Sequence, residues 1–160
     1  MPSVKLLYLC THNACRSILA EAITRRLSKG QIIVASAGSE PAGQIHPLTL
    51  QYLCAAGYPT EGLSSKSWAE VKDFEPDVVI TVCDQVAGES CPVWFGQAAK
   101  GHWGLTDPSR VKGCPADTAV AFDSVIHTLE ARINQLLTYP LDSLSKGELV
   151  TILKHIGETD

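Results

Sequence analysis

The chain has 160 residues, 45% of them hydrophobic and 19% charged, a balance that suits one folded domain with an ordered core rather than a disordered chain. A length of this order buries about 70% of the unfolded surface. The formal net charge of -4 argues against nucleic acid or an anionic membrane as the main partner, while leaving room for a local cationic pocket.

The amino terminus carries a short apolar run that passes straight into a strand pattern, unlike a secretory leader. No apolar stretch approaches the roughly 20 residues that span a bilayer. A cytoplasmic protein is expected. In a reducing compartment its six cysteines are expected to be reactive, metal-bound or plain core rather than permanent disulfides.

Residues 4–9 read as a buried parallel strand. Ser17 opens a helical pattern with Leu19, Ile23 and Leu27 on one face and Gly30 past its end. Residues 32–37 read as a second strand closed by Gly38. Pro47 suits the first turn of a helix through Leu50, Leu53 and Cys54 to Gly57, a spacing that places Cys54 in the core. A shorter helix is predicted over 68–74. Residues 78–82 form the clearest buried strand, which ends at Cys83.

Residues 84–101, rich in glycine, proline and small polar residues, read as a long loop of a length tied to function or mobility. Residues 102–104 suggest a short edge strand. Phe122, Val125, Ile126, Leu129, Ile133, Leu136 and Leu137 follow helical spacing, broken by Pro140. Leu149, Ile152, Leu153 and Ile156 mark one more amphipathic helix, able to pack on the domain or to mediate a dimer. Strands alternating with helices predict an α/β fold: a doubly wound parallel sheet flanked by helices, with right-handed crossovers. A single domain over 1–160 is expected, with a helical extension over 139–160.

The informative segment lies between the first strand and the first helix: Cys10, Thr11, His12, Asn13, Ala14, Cys15, Arg16 and Ser17. Successive backbone N–H groups of such a turn can converge on an anion, and the helix amino terminus adds partial positive charge. Arg16 can grip two oxygens of a tetrahedral oxyanion through its planar fork. Cys10 sits at the mouth of this cradle, where pKa values of roughly 3.5 to 7.5 are seen for thiols. Ser17 can donate to the thiolate. A cysteine and an arginine at this spacing are a weak signal alone and a strong one between a buried strand and a helix. Downstream, Asp107 in Thr106-Asp107-Pro108 is a candidate general acid, although Asp-Pro is also an ordinary turn.

These segments resemble the low-molecular-weight protein tyrosine phosphatase superfamily, and within it the arsenate reductases that share its fold. Residues 36–38, 63–66, 79–84 and 102–108 look like segments of the same reductases, and the likeness runs from about residue 4 to 137. The resemblance implies four strands in the order second, first, third, fourth, with an extra carboxyl-terminal helix. On that order Cys10 and Cys83 end adjacent strands at the switch point where ligands bind. The strand spacing of about 4.8 Å is then within a disulfide's reach. The implied chemistry is attack on arsenate by Cys10, then attack on Cys10 by Cys83, then exchange with Cys91. The disulfide would pass to an external thiol reductant, thioredoxin or a glutathione and glutaredoxin system. No tightly bound cofactor is expected.

In some of these reductases a potassium ion sits where Asn13, Glu21 and Ser36 stand here, with Ser64 and Ser65 in place of a helpful carboxylate. Arsenate is the expected substrate, phosphate and sulfate are expected to fit the same cradle, and a monomer is expected. The alternative is a phosphatase hydrolysing phosphate monoesters, which shares the first step. Against it, the tyrosine that follows Asp-Pro in those phosphatases is absent. An interaction module that keeps the fold without chemistry is the third reading, opposed by the intact cysteine, arginine and aspartate set. Cys15 is open to a protective disulfide with Cys10 or a structural role, Cys114 reads as an exposed bystander, and His12 either adds positive field at Cys10 or is a solvated loop residue. No metal site is expected, because no Cys-x-x-Cys pair occurs and the histidines show no partner spacing.

Overall fold

The central strand, β1 (Val4–Cys10), is buried from Leu6 onward because it is covered on both faces and both edges. In this computed structural model, which describes residues 4–82, 98–111 and 113–158, β2 (Ile32–Gly38) flanks it on one side. On the other side lies β3 (Val78–Thr81), with β4 (Ala99–His102) at the far edge. The sheet order is β2-β1-β3-β4 and every pairing is parallel. This is the order the resemblance implied. Cys10 lies opposite Gly38, and Leu9 opposite Thr81.

The helices are α1 (Arg16–Ser28), α2 (Pro47–Ala55), α3 (Pro115–Leu136) and α4 (Lys146–Glu158). α1 packs on β2 and α3, and α4 packs on β4 and α3. Among the described residues no helix is long and apolar enough to cross a membrane.

Four expectations shift. Residues 68–74 form 3-10 turns, interrupted at Val71. α3 begins at Pro115, well before Phe122, because its first two turns carry small and polar residues that leave no apolar stripe. Pro115 fits the first helical position, and Asp117 accepts from the Cys114 N–H at 3.2 Å. The edge strand is Ala99–His102, so residues 99–101 belong to the sheet, and Trp103 drops from the strand into the core with no exposed surface. Cys54 is exposed. The buried side of α2 is set by Thr49 and Leu53, and the next residue is turned about 100° away from that side.

The carboxyl-terminal helix packs on the sheet edge and on α3. Ser145 and Glu148 form a reciprocal cap: the Ser145 N–H donates to Glu148 Oε1 at 3.0 Å, and the Glu148 N–H to Ser145 Oγ at 3.2 Å. Leu149, Leu153 and Ile156 are buried on one stripe, and Trp103 Nε1 donates to the Leu153 carbonyl at 3.0 Å. The close approach requires Gly101, where a Cβ would lie 2.8 Å from Leu153 Cβ. Replacing Gly101 by Ala is therefore expected to destabilise the fold by about 1–3 kcal/mol through overpacking, read as a lower urea midpoint at unchanged m-value.

Candidate active site

β1 ends and α1 begins within the segment that the sequence singled out, and three loop carbonyls are turned outward onto neighbouring chain. Thr11 O accepts from Glu40 N at 2.8 Å, His12 O from Ala42 N at 2.9 Å and Ala14 O from His46 N at 3.0 Å, while Cys15 O takes the first bond of α1 from Leu19 N at 2.8 Å. In a trans peptide the N–H points opposite to the C=O, so anchoring the carbonyls outside directs the amides inward. The Asn13 N–H does reach Cys10 Sγ, at 3.2 Å. Gly38 lets β2 pass beneath this turn, since a Cβ there would lie 2.5 Å from Thr11 O.

Cys10 has 3% of its surface exposed, and its Sγ lies 2.9 Å from Ser17 Oγ. The neighbouring bonds decide which of these two donates. Asn13 is fully buried and takes a left-handed φ of 47°, a conformation that asparagine tolerates. Its Oδ1 accepts from Lys66 N at 2.9 Å, and its Nδ2 donates to Ser17 Oγ at 2.7 Å and to Ser36 Oγ at 3.0 Å. Ser17 is fully buried, Asn13 already donates to its Oγ, and among the described residues Cys10 Sγ is the acceptor that its own hydrogen can reach, so Ser17 can donate to a thiolate there.

The other branch ends on Glu21, whose Oε1 accepts from Ser36 Oγ at 2.6 Å and whose Oε2 accepts from Arg25. Burial raises the Glu21 carboxyl above its ordinary value, partly offset by the Ser36 hydrogen bond and by the charges of Lys66 and Arg25.

The residues do not fit the potassium ion that the resemblance raised. Glu21 already has Arg25 as its cation, Asn13 turns its side-chain N–H groups toward Ser17 and Ser36, and its side-chain oxygen accepts from Lys66 N. A hard cation needs oxygen lone pairs, and here the built-in guanidinium supplies the charge. Among the described residues no group of three or more histidines, cysteines or acidic residues could hold a metal.

Arg16 and Asp107 come together across the site. Arg16 donates to the Leu105 carbonyl at 3.1 Å and lies 3.8 Å from Asp107 Oδ2. Asp107 Oδ1 accepts from the backbone and hydroxyl of Ser109 at 3.0 and 2.6 Å, and Arg110 Nε lies 3.5 Å from Oδ2. Together with Cys10, His12, Cys15 and His46 these residues line a cavity of about 270 Å³. Thr11 and Ala14 shape the turn through the outward carbonyls described above. Cys15 is buried, and that burial pushes its thiol up to about 12, so it stays protonated. Cys114 is exposed.

Cys83 and Cys91 lie outside the described residues. Val82, immediately before Cys83, donates its N–H to Leu9 O at 2.9 Å, one residue from Cys10. Arg110, Ser109 and His46 are site residues that the sequence reading missed. Ser109 and Arg110 follow the Asp107-Pro108 signal directly, whereas His46 carried no local signal because it is brought in by the loop before α2.

Residues 5–148 match the family described as low molecular weight phosphotyrosine protein phosphatase. An arsenate reductase of Shouchella clausii is 29% identical over 134 residues, covering 83% of this chain and 95% of that protein. A glutaredoxin arsenate reductase of Synechocystis sp. is 31% identical over 105 residues, covering 65% of this chain and 78% of that one. A solved structure of an arsenate reductase in the phosphate binding state superposes with a TM-score of 0.71 at 26% identity, covering 84% of this chain and 97% of that chain. The cradle, the order of its sheet and this match together place the chain in the low molecular weight phosphotyrosine protein phosphatase family.

Proposed function

We propose that the chain reduces arsenate to arsenite. The observation that carries this reading is the position of Cys10. Its Sγ lies within hydrogen-bond reach of the loop amide and of Ser17, inside a cavity of about 270 Å³ that is also lined by Arg16 and Asp107. In the first step the Cys10 thiolate attacks arsenic held by the loop amides of residues 11–17 and by Arg16. A sulfur–arsenic bond forms, and one oxygen departs as water with the proton from Asp107.

In the second step the Cys83 thiolate attacks Cys10 Sγ. A disulfide forms, the electron pair of the sulfur–arsenic bond stays on arsenic, and arsenite leaves. Support for Cys83 comes from Val82, bonded beside the Cys10 end of β1. Cys91 is the proposed third thiol, which would move the disulfide outward for an external thiol reductant, thioredoxin or glutaredoxin with glutathione. The chain would work as a cytoplasmic monomer.

Phosphatase activity is the second reading, favoured by the family and by a cradle that phosphate fills equally well. Against it as the main activity, Ser109 and not a tyrosine follows Asp107-Pro108.

Fully reduced protein mixed with arsenate and no external thiol is expected to release about one arsenite per chain with the loss of two thiols. Peptide mapping then names the pair. Cys10→Ser should abolish turnover, and substantial remaining activity would refute the nucleophile. Cys83→Ser is expected to keep phosphate-ester hydrolysis while stopping arsenite release without added thiols. Asp107→Asn should lower the rate of the first step by roughly 10²- to 10⁴-fold, measured by rapid quench.

A further inference from the structure

Two histidines line the cavity, His12 and His46, and neither is needed for the chemistry above. Their rings are held in opposite senses. His46 sits at the start of α2, where its Nδ1 accepts from the Leu48 N–H at 3.1 Å. A nitrogen that accepts carries no hydrogen, so the neutral ring has its proton on Nε2. Protonating Nδ1 would set two donors against each other. His12 is the reverse: its Nδ1 lies 3.1 Å from the Glu40 carbonyl oxygen. That oxygen can only accept, so Nδ1 donates and the neutral ring keeps a bare lone pair on Nε2. These tautomers follow from the partners, as ring hydrogens ordinarily do.

In both rings Nδ1 is committed to backbone, which leaves Nε2 for the cavity. His46 therefore brings one more fixed donor beside Arg16 and Arg110. His12 brings a neutral acceptor into a site whose other acceptors are the Cys10 sulfur and the Asp107 carboxylate, and that carboxylate already faces Arg16 and Arg110. An acceptor is unfavourable against a bare anion oxygen and favourable against an oxyanion that still carries a hydroxyl. Hydrogen arsenate and hydrogen phosphate keep such a hydroxyl near neutral pH, and sulfate keeps none.

We propose that His12 and His46 set the specificity of the cradle, with His12 Nε2 accepting the hydroxyl of a protonated tetrahedral oxyanion and His46 Nε2–H donating to one of its oxygens. The site would then take hydrogen arsenate and hydrogen phosphate in preference to sulfate, which sharpens the expectation that all three fit alike. This rests on the oxyanion reading of the cavity, and it holds whether the bound ion is afterwards reduced or hydrolysed.

The test is calorimetric binding of inorganic phosphate and of sulfate to the reduced full chain near neutral pH. The wild type should bind phosphate more tightly. His12→Ala should weaken phosphate by roughly tenfold, the effect of one hydrogen bond to a charged group, and leave sulfate nearly unchanged. His12→Lys, which replaces the acceptor by a donor, should strengthen sulfate and not phosphate. His46→Asn keeps a side-chain oxygen for the Leu48 N–H; it should weaken both anions by a similar factor and preserve their ratio. An unchanged phosphate-to-sulfate ratio in both His12 variants, each folded by circular dichroism, overturns the proposal. A wild type that binds neither anion overturns the proposal together with the cradle. A ratio that collapses in the His12 variants supports it even if no arsenite is released, in which case only the reduction reading fails.

Discussion

The buried side-chain amide of Asn13 ties the site together. Each of its polar atoms is assigned: the oxygen to the Lys66 backbone, one hydrogen to Ser17 and the other to Ser36. Because the residue is fully buried and left-handed, no water can substitute for a lost partner, and a buried amide left unpaired costs about 1–3 kcal/mol. The turn therefore has one arrangement in which everything is satisfied. In that arrangement the Asn13 N–H and the Ser17 hydroxyl both lie within hydrogen-bond reach of Cys10 Sγ. The donor role open to Ser17 is thus a consequence of a bond made elsewhere.

The same amide serves two negative groups. One N–H leads through Ser17 to the Cys10 sulfur and the other through Ser36 to the Glu21 carboxylate. Two anions sharing one donor group would oppose each other if Glu21 kept its full charge in the low-dielectric interior. Arg25, one helical turn on, prevents this by closing a salt bridge to Glu21. Burial still dominates, as the raised carboxyl of Glu21 records. Arg25, in turn, also donates to the Glu61 carbonyl at 2.8 Å, so the electrostatics of the cradle reach the loop after α2. Arg25 thus places a cation beside Glu21 from the same helix.

What was legible in the sequence was local. A buried strand, a cysteine, a short loop and an arginine opening a helix are consecutive, and their chemistry follows from that adjacency. Apolar runs placed β1, β2 and β3 for the same reason. The features that escaped are those set at a distance. The residues alone showed Asn13 as one member of the loop and only the resemblance grouped it with Ser36, because its partners Ser36 and Lys66 come from β2 and from the segment leading into the first 3-10 turns. Cys54 looked apolar and internal, yet one residue's rotation beyond Leu53 takes it into solvent. The first turns of α3 carry no stripe, and Pro115, Ala116, Asp117 and Val120 there are exposed. The edge strand β4 was displaced in the reading because the most hydrophobic residue nearby, Trp103, is buried by leaving the sheet and meeting α4.

The family holds phosphate chemistry, and the reading proposed here is redox chemistry; the two divide at the intermediate. After the first attack, either ester sits on Cys10 in the same cradle, and the two possible nucleophiles strike different atoms. Water attacks phosphorus or arsenic and leaves the oxidation state unchanged. A thiolate attacks sulfur and requires the departing atom to accept the electron pair. Arsenic(V) does so readily, whereas phosphorus(V) resists reduction strongly, so a neighbouring thiol is harmless to a phosphocysteine and decisive for its arsenic counterpart. A thiol tethered next to Val82 would act at the high effective concentration of an intramolecular group, with no need to exclude water from the cradle. On this view the cradle needs no feature that distinguishes arsenic from phosphorus. It needs only to recognise a hydroxylated tetrahedral oxyanion, and the element it holds then selects between hydrolysis and reduction.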